Sequence, residues 1–136
     1  MDRRSARREA VCLLFDYTFN TEKDADRLIE DARAARDLPE DEFFDSLMRG
    51  VLGHQAEIDA IIEKNLQGWT LQRLSRVSLA ILRLAIYEMD YREEIPVNVT
   101  INEAVELAKR YGDEKDAAFI NGLLGAYARN SGKGSD

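Results

Sequence analysis

Residues 77–89 read VSLAILRLAIYEM, and the architecture of the chain follows from this stretch. Apolar side chains occupy nearly every position, so a helix formed here is apolar on almost all of its faces. A helix of that kind is usually central and packed by neighbours on most sides. Its charged residues, Arg83 and Glu88, interrupt the apolar run well before the ~20 residues that a membrane span requires. We expect both to form structural ion pairs or helix caps.

The chain after this helix continues with helical periodicity. Beyond the break at Ile95-Pro96, the apolar residues 101, 104, 105 and 108 share one face of a helix that stops at Gly112. A last helix is predicted over about residues 115–128, with its apolar face turned inward.

The chain before the central helix is also predicted to be helical. Helices are expected over about residues 3–19 and 23–36, with Pro39 marking the break after the second. A long third helix runs from Phe44 to Gly68, with Gly50 and Gly53 as weak points. A short helical turn follows over residues 70–74, and Ser75 is a suitable N-cap for the central helix.

These elements define an all-α fold of about seven helices. No useful stretch alternates apolar and polar residues as a strand would. We expect a single domain over residues 1–130, built as two packed small helical bundles that share the central helix. The subdomains cover about residues 1–66 and 67–130, and residues 131–136 form a flexible tail.

The composition excludes most enzyme chemistry. The 136 residues contain one cysteine, Cys12, and one histidine, His54. A single cysteine and a single histidine make a zinc site or a nucleophile–base pair improbable, so we expect neither an enzyme nor a metal or other cofactor. The amino terminus lacks the apolar run of a secretory signal, which favours a cytoplasmic location.

The charge distribution points to an anionic partner. The net charge is −7, yet the first ten residues contain four arginines against two acids. A local basic arm on an acidic body indicates that one small patch meets a negatively charged molecule. The acidic second helix is most simply a solvated face, with a docking surface for a basic partner as the alternative.

A helical wheel of the first segment separates two faces. Arg4, Arg8 and Phe15 fall within about 40° of one another, opposite the apolar stripe. Arginines hold phosphates and an exposed ring can stack on a base, so this face is a candidate RNA surface. The alternative is a solvated helix end with an isolated phenylalanine.

The last helix carries a second candidate surface. Phe119 lies about 80° from the centre of the helix's apolar face. Lys115 precedes it by one turn, so a cation and a ring share one side of the helix. The alternative is that Phe119 forms the rim of the core.

Four segments in order resemble the NusB family. They are RRSARREA (residues 3–10), LSRV with ILRLAIYEM (74–77 and 81–89), IP with INEAVELAK (95–96 and 101–109), and FINGLL (119–124). The match covers most of the chain apart from its acidic middle.

The resemblance implies a fold of two helical bundles and a role in processive antitermination on ribosomal RNA operons. NusB-like proteins bind single-stranded boxA RNA as a heterodimer with NusE, a small-subunit ribosomal protein, and join other Nus factors on RNA polymerase. Some members are monomers and others homodimers, so a homodimer is an open alternative. By motif, the RNA-binding residues implied here are Arg3, Arg4, Arg7, Arg8 and Phe119.

Three positions depart from the family pattern. Cys12 stands where the family often has Gln, and Phe15 where it often has Tyr. Ser78 stands where Glu is common, in the region assigned to the NusE interface.

Two other functions are compatible with the same fold. One is an adapter that binds only protein, and the other is a stand-alone relative of the accessory domain of ribosomal RNA methyltransferases.

Overall fold

Residues 77–89 lie in the central helix of the structure, a computed structural model that describes residues 1–132. The all-α prediction is confirmed, because the described residues form seven α-helices, one short 3-10 helix and no strand. The predicted tail falls mostly on residues 133–136, which lie outside the described part. The helices are α1 (Arg3–Tyr17), α2 (Ala25–Arg36), α3 (Glu42–Gly53), α4 (Gln55–Lys64), α5 (Arg76–Tyr91), α6 (Val97–Tyr111) and α7 (Glu114–Asn130), with the 3-10 helix at Leu71–Arg73.

Helix α5 is the core of the molecule, as its apolar sequence predicts. Every residue from Ala80 to Met89 is buried. The two charged residues in this run form ion pairs, which confirms the structural role expected of them. Arg83 donates two hydrogen bonds of 2.9 Å to Asp59 on α4, and Glu88 accepts from Arg7 on α1. Within residues 1–132, no helix has the length and apolar content to cross a membrane.

The other helices surround α5 in two sets. Helices α1, α3 and α4 pack against it from the first half of the chain, and α2 packs on α3. Helices α6 and α7 pack on each other and on α5. The shared central helix agrees with the predicted pair of bundles, while the subdomain limits near residue 66 stay a prediction.

Short polar side chains begin most of the helices. The backbone N–H of Ser5 donates to Asp2 at 2.7 Å, which places an anion at the start of the arginine-rich α1. The predicted Ser75 cap of α5 is confirmed, since its hydroxyl accepts from the N–H of Ser78 at 3.0 Å. Equivalent caps are formed by Asp24 in α2, Asp41 in α3 and Asp113 in α7.

The prediction of one long third helix is wrong. The helix is interrupted at His54, where φ is −118° and ψ is 20°, and α4 starts one residue later. The His54 ring stacks on Tyr91 of α5, with 4.0 Å between ring centroids. On either side of the break, α3 and α4 both pack against α5. The predicted turn at residues 70–74 is the 3-10 helix.

Candidate nucleic-acid interface

The four arginines of α1 lie on two different sides of the helix. Arg4 and Arg8 face α6 and solvent, because both line a pocket between α1 and α6. Arg3 faces α3, because its guanidinium group lies over the ring of Phe43. Arg7 lies between the two sides, since it approaches the same ring at 5.4 Å and also lines the pocket of Arg4 and Arg8. The arginine-rich segment is therefore not one uniform patch.

Arg7 is buried, and its assignment as an RNA-binding residue stays a prediction. Its side chain is 6% exposed and donates to both carboxylate oxygens of Glu88, at 2.8 and 3.0 Å. The hydroxyl of Thr100 completes the site by donating to the same carboxylate at 2.9 Å. Arg7 thus neutralises a buried acid of the central helix and holds α1 against α5.

Arg3 is exposed but turned towards the first bundle. Its guanidinium carbon lies 4.4 Å from the centroid of the Phe43 ring. Arg92, at the end of α5, approaches the same ring at 5.1 Å. Phe43 is therefore held by cation–π contacts. This position separates Arg3 from the face that carries Arg4 and Arg8.

Arg4 and Arg8 form the cationic part of the exposed face. Arg4 is 70% exposed and donates to both oxygens of Glu103 on α6, with the shortest distance 3.0 Å. Hydrogen bonding to Glu103 raises the pKa of Arg4 above its usual value. Arg8 donates to the hydroxyl of Ser5 at 3.1 Å and is in no ion pair within residues 1–132.

Phe15 continues this face towards the end of α1. It is half-buried and makes an edge-to-face contact with Phe19, with 5.2 Å between centroids. Phe19 is 64% exposed, and the guanidinium of Arg76 lies 4.2 Å from its centroid. Arg76 is held there by a 2.7 Å hydrogen bond to the carbonyl of Thr18.

Phe19 and Arg76 are site residues that the sequence did not reveal. They are 57 positions apart, so no helical spacing connects them. Only the packing of the start of α5 against the end of α1 brings them together.

Lys115 and Phe119 lie at the start of α7. Lys115 is exposed, while Phe119 is half-buried and packs against the core. The start of α7 is held near the start of α5, because the hydroxyl of Ser78 donates to Asp116 at 3.1 Å. Phe119 is therefore at the rim of the core, as the alternative interpretation expects. Its contact with RNA stays a prediction.

Ser78 itself is buried. It is 2% exposed and its hydroxyl is engaged by Asp116. A partner protein at this end of α5 would contact the surrounding residues rather than Ser78.

The arrangement suits a single-stranded nucleic acid better than a small-molecule reaction. Two guanidinium groups precede the ring of Phe15 on one face of α1, and the ring of Phe19 follows just beyond the end of the helix. This order provides phosphate contacts and then stacking surfaces. Among residues 1–132, no three His, Cys, Asp or Glu side chains are arranged to hold a metal ion.

These features describe an all-helical protein that carries a cationic and aromatic surface on its first helix. The sequence profile of the NusB family matches residues 4–129. The chain belongs to the NusB family.

Curated relatives match this chain along nearly their whole length. The transcription antitermination protein NusB of Bacillus subtilis is 47% identical over 126 residues, which cover 91% of this chain and 92% of that protein. The protein of the same name from Listeria welshimeri is 44% identical over 124 residues, covering 91% and 94%.

Solved structures share the fold. NusB of T. maritima superposes with a TM-score of 0.84 at 35% identity, covering 95% of this chain and 92% of that one. A chain from the crystal structure of the antitermination factors NusB and NusE in complex with dsRNA superposes with a TM-score of 0.83 at 27% identity. The match covers 94% of this chain and 96% of that one. A chain from a crystal structure of a plectonemic RNA supercoil gives 0.86 at 29% identity and covers 98% of each.

Proposed function

We propose that this protein is a non-enzymatic transcription antitermination factor that binds the boxA RNA of ribosomal RNA operons as a heterodimer with NusE. It acts in the cytoplasm, where the heterodimer joins other Nus factors on RNA polymerase. The observation that carries the proposal is the exposed face of α1, on which Arg4, Arg8 and Phe15 lie together. The solved complex of a NusB relative with NusE and dsRNA supports RNA and NusE as partners.

The face explains how an acidic protein can bind RNA. The net charge of −7 repels a polyanion at long range, so attraction depends on a local cationic surface. Arg4 and Arg8 provide that surface, and Phe15 and Phe19 offer ring area for unpaired bases. Single strands expose those bases, whereas a duplex hides them in the stack.

Arg8→Ala is expected to weaken RNA binding and to reduce its salt dependence. Removing one phosphate-binding cation from a single-strand site lowers the slope of log K against log salt by about 0.7. Binding of a boxA oligonucleotide at several salt concentrations measures both quantities. Arg27→Ala is the matched control. Arg27 is exposed and lies on α2, so its replacement removes the same charge from a different surface. An equal slope for the two variants would remove Arg8 from the interface.

Phe119→Leu separates stacking from packing. Leucine keeps an apolar side chain at the rim of the core but has no aromatic face. If Phe119 stacks on a base, affinity for the RNA falls by about 1–3 kcal/mol while the thermal midpoint changes little. Unchanged affinity in a folded variant would return Phe119 to a purely structural role.

The alternative function, an adapter that binds only protein, predicts a different result. Such a protein binds NusE but leaves boxA RNA unbound, alone or in the heterodimer. The antitermination proteins matched over more than nine-tenths of their length favour the factor over a methyltransferase accessory domain.

A further inference from the structure

The carboxylate of Glu103 lies in the cationic pocket between α1 and α6. The pocket has a volume of about 170 Å³, and its charged lining residues are Arg4, Arg7, Arg8, Glu103, Glu106 and Arg110. A carboxylate repels a phosphate at such a place, since the two groups have charges of the same sign. Glu103 therefore opposes the attraction that the arginines provide.

Glu103 neutralises the charge of Arg4. The Nε of Arg4 donates to one carboxylate oxygen of Glu103 at 3.0 Å, and Nη2 donates to the other oxygen at 3.0 Å. Two parallel bonds of this kind join a guanidinium and a carboxylate in a fixed geometry. The Arg4 side chain is exposed, yet the ion pair presents little net charge to a phosphate.

The Glu103 side chain is held in this position. It is 12% exposed, and its second cationic neighbour is Arg7, with 3.7 Å between the nearest atoms. Arg7 already has Glu88 as its partner, through two shorter hydrogen bonds. Glu103 is therefore not required to neutralise the buried Arg7, and its main effect falls on Arg4.

Arg8 differs from Arg4 in the charge that it offers. Its guanidinium donates to the hydroxyl of Ser5 at 3.1 Å and has no carboxylate partner among residues 1–132. Arg8 can bind a phosphate without losing an ion pair, whereas Arg4 must first exchange Glu103 for the phosphate. Two arginines one turn apart on the same helix thus contribute unequally to the attraction of an anion.

We propose that Glu103 is an autoinhibitory residue of the RNA surface, a carboxylate that cancels the charge of Arg4 and lowers the attraction of α1 for RNA. The inference rests on the proposed function, because it concerns the regulation of the same surface. Phosphate contacts carry no sequence information. Glu103 therefore weakens the binding of every RNA by a similar factor and limits retention of the protein on unrelated RNA.

Arg4→Ala and Arg8→Ala are expected to differ in the salt dependence of RNA binding. Arg8→Ala lowers the slope of log K against log salt by about 0.7, since one phosphate contact is lost. Arg4→Ala should leave that slope nearly unchanged, because Glu103 already cancels the charge that is removed. Titration of a boxA oligonucleotide at several salt concentrations measures both slopes. An equal decrease for the two variants would overturn the inhibitory role of Glu103.

Glu103→Gln removes the negative charge and keeps an oxygen that accepts a hydrogen bond from Arg4. A phosphate bound to the far side of the guanidinium would lie about 6 Å from the carboxylate. At an effective dielectric constant of about 40–80, loss of that repulsion lowers Kd by about 3- to 10-fold. We expect this decrease for boxA RNA and for a scrambled RNA of equal length. The salt slope should become steeper by about 0.7, because Arg4 is free to bind a phosphate.

Two further variants are the controls for Glu103→Gln. Glu30→Gln removes the same charge from an exposed position of α2 and should leave Kd within about twofold, since distant exposed charges are screened by salt. The Arg4→Ala/Glu103→Gln variant should lose the steeper slope, because the released cation is absent.

Unchanged or weaker RNA binding by a folded Glu103→Gln variant would overturn the inhibitory role, and so would a steeper slope that persists without Arg4. The fold should be retained, since Arg7 keeps Glu88 as its partner. The comparison of Arg4→Ala with Arg8→Ala decides the question independently of Glu103→Gln. Failure of the unmodified protein to bind RNA would overturn the proposed function as well.

Discussion

Glu88→Ala is expected to lower the free energy of unfolding by about 3–5 kcal/mol, the usual effect of removing one partner from a buried ion pair. The Arg7 side chain is 6% exposed, so its charge would stay in the interior without its partner at 2.8 Å. Glu103 is only a partial substitute, since its nearest contact to Arg7 is 3.7 Å and it already binds Arg4. The hydroxyl of Thr100 would also lose its acceptor.

Urea unfolding measures this effect, and Arg4→Ala is the matched control. Arg4 forms an exposed pair with Glu103, so its loss should change stability by no more than about 1 kcal/mol. Replacing Arg7 and Glu88 together by apolar residues of similar size should be milder than Glu88→Ala alone. A decrease below about 1 kcal/mol for Glu88→Ala, the size expected of an exposed pair, would contradict the structural role assigned to Arg7 and Glu88.

Gly50→Ala is expected to lower the free energy of unfolding by about 3 kcal/mol, near the upper part of the range for overpacking. In an unhindered helix interior the same change raises stability by about 0.5–1 kcal/mol. The sign reverses here because a Cβ on Gly50 would overlap the ring of Tyr87. That ring cannot easily move away, since it is buried and stacks with Tyr91 at 5.5 Å.

Gly122→Ala is the control for this prediction. Gly122 lies inside α7, and nothing stands within 4 Å of the Cβ that alanine would add. The Gly122→Ala substitution should therefore stabilise the protein by about 0.5–1 kcal/mol. Two variants that shift the thermal midpoint in the same direction would show that Tyr87 does not limit the space at Gly50.

The sequence carries most of the fold because the periodicity that identifies each helix is local. Residues 77–89 are apolar on almost every side, and this property alone predicts that α5 lies at the centre. The break at His54 escaped prediction because the apolar positions of α3 and α4 keep one helical spacing across it. Gly50 was interpreted as a weak point of the third helix. The need for glycine at this position comes instead from a tertiary contact, because the Tyr87 ring that leaves no room for a Cβ lies 37 positions away in the sequence.

The candidate site was predictable only where one helix forms it. The wheel of α1 groups Arg4, Arg8 and Phe15, and the structure keeps them on one side. It could not show that Arg7 is buried, because that depends on Glu88 of α5.

The proposed function depends above all on whether the face of α1 that carries Arg4, Arg8 and Phe15 binds single-stranded RNA. A gel shift with boxA RNA and a scrambled RNA of equal length, with and without NusE and at two salt concentrations, answers this question. We expect preferential binding of boxA RNA that strengthens with NusE, weakens with salt, and is reduced in the Arg4→Ala/Arg8→Ala variant. Equal binding of both RNAs, or full binding by that variant, would show that this face is not the RNA site.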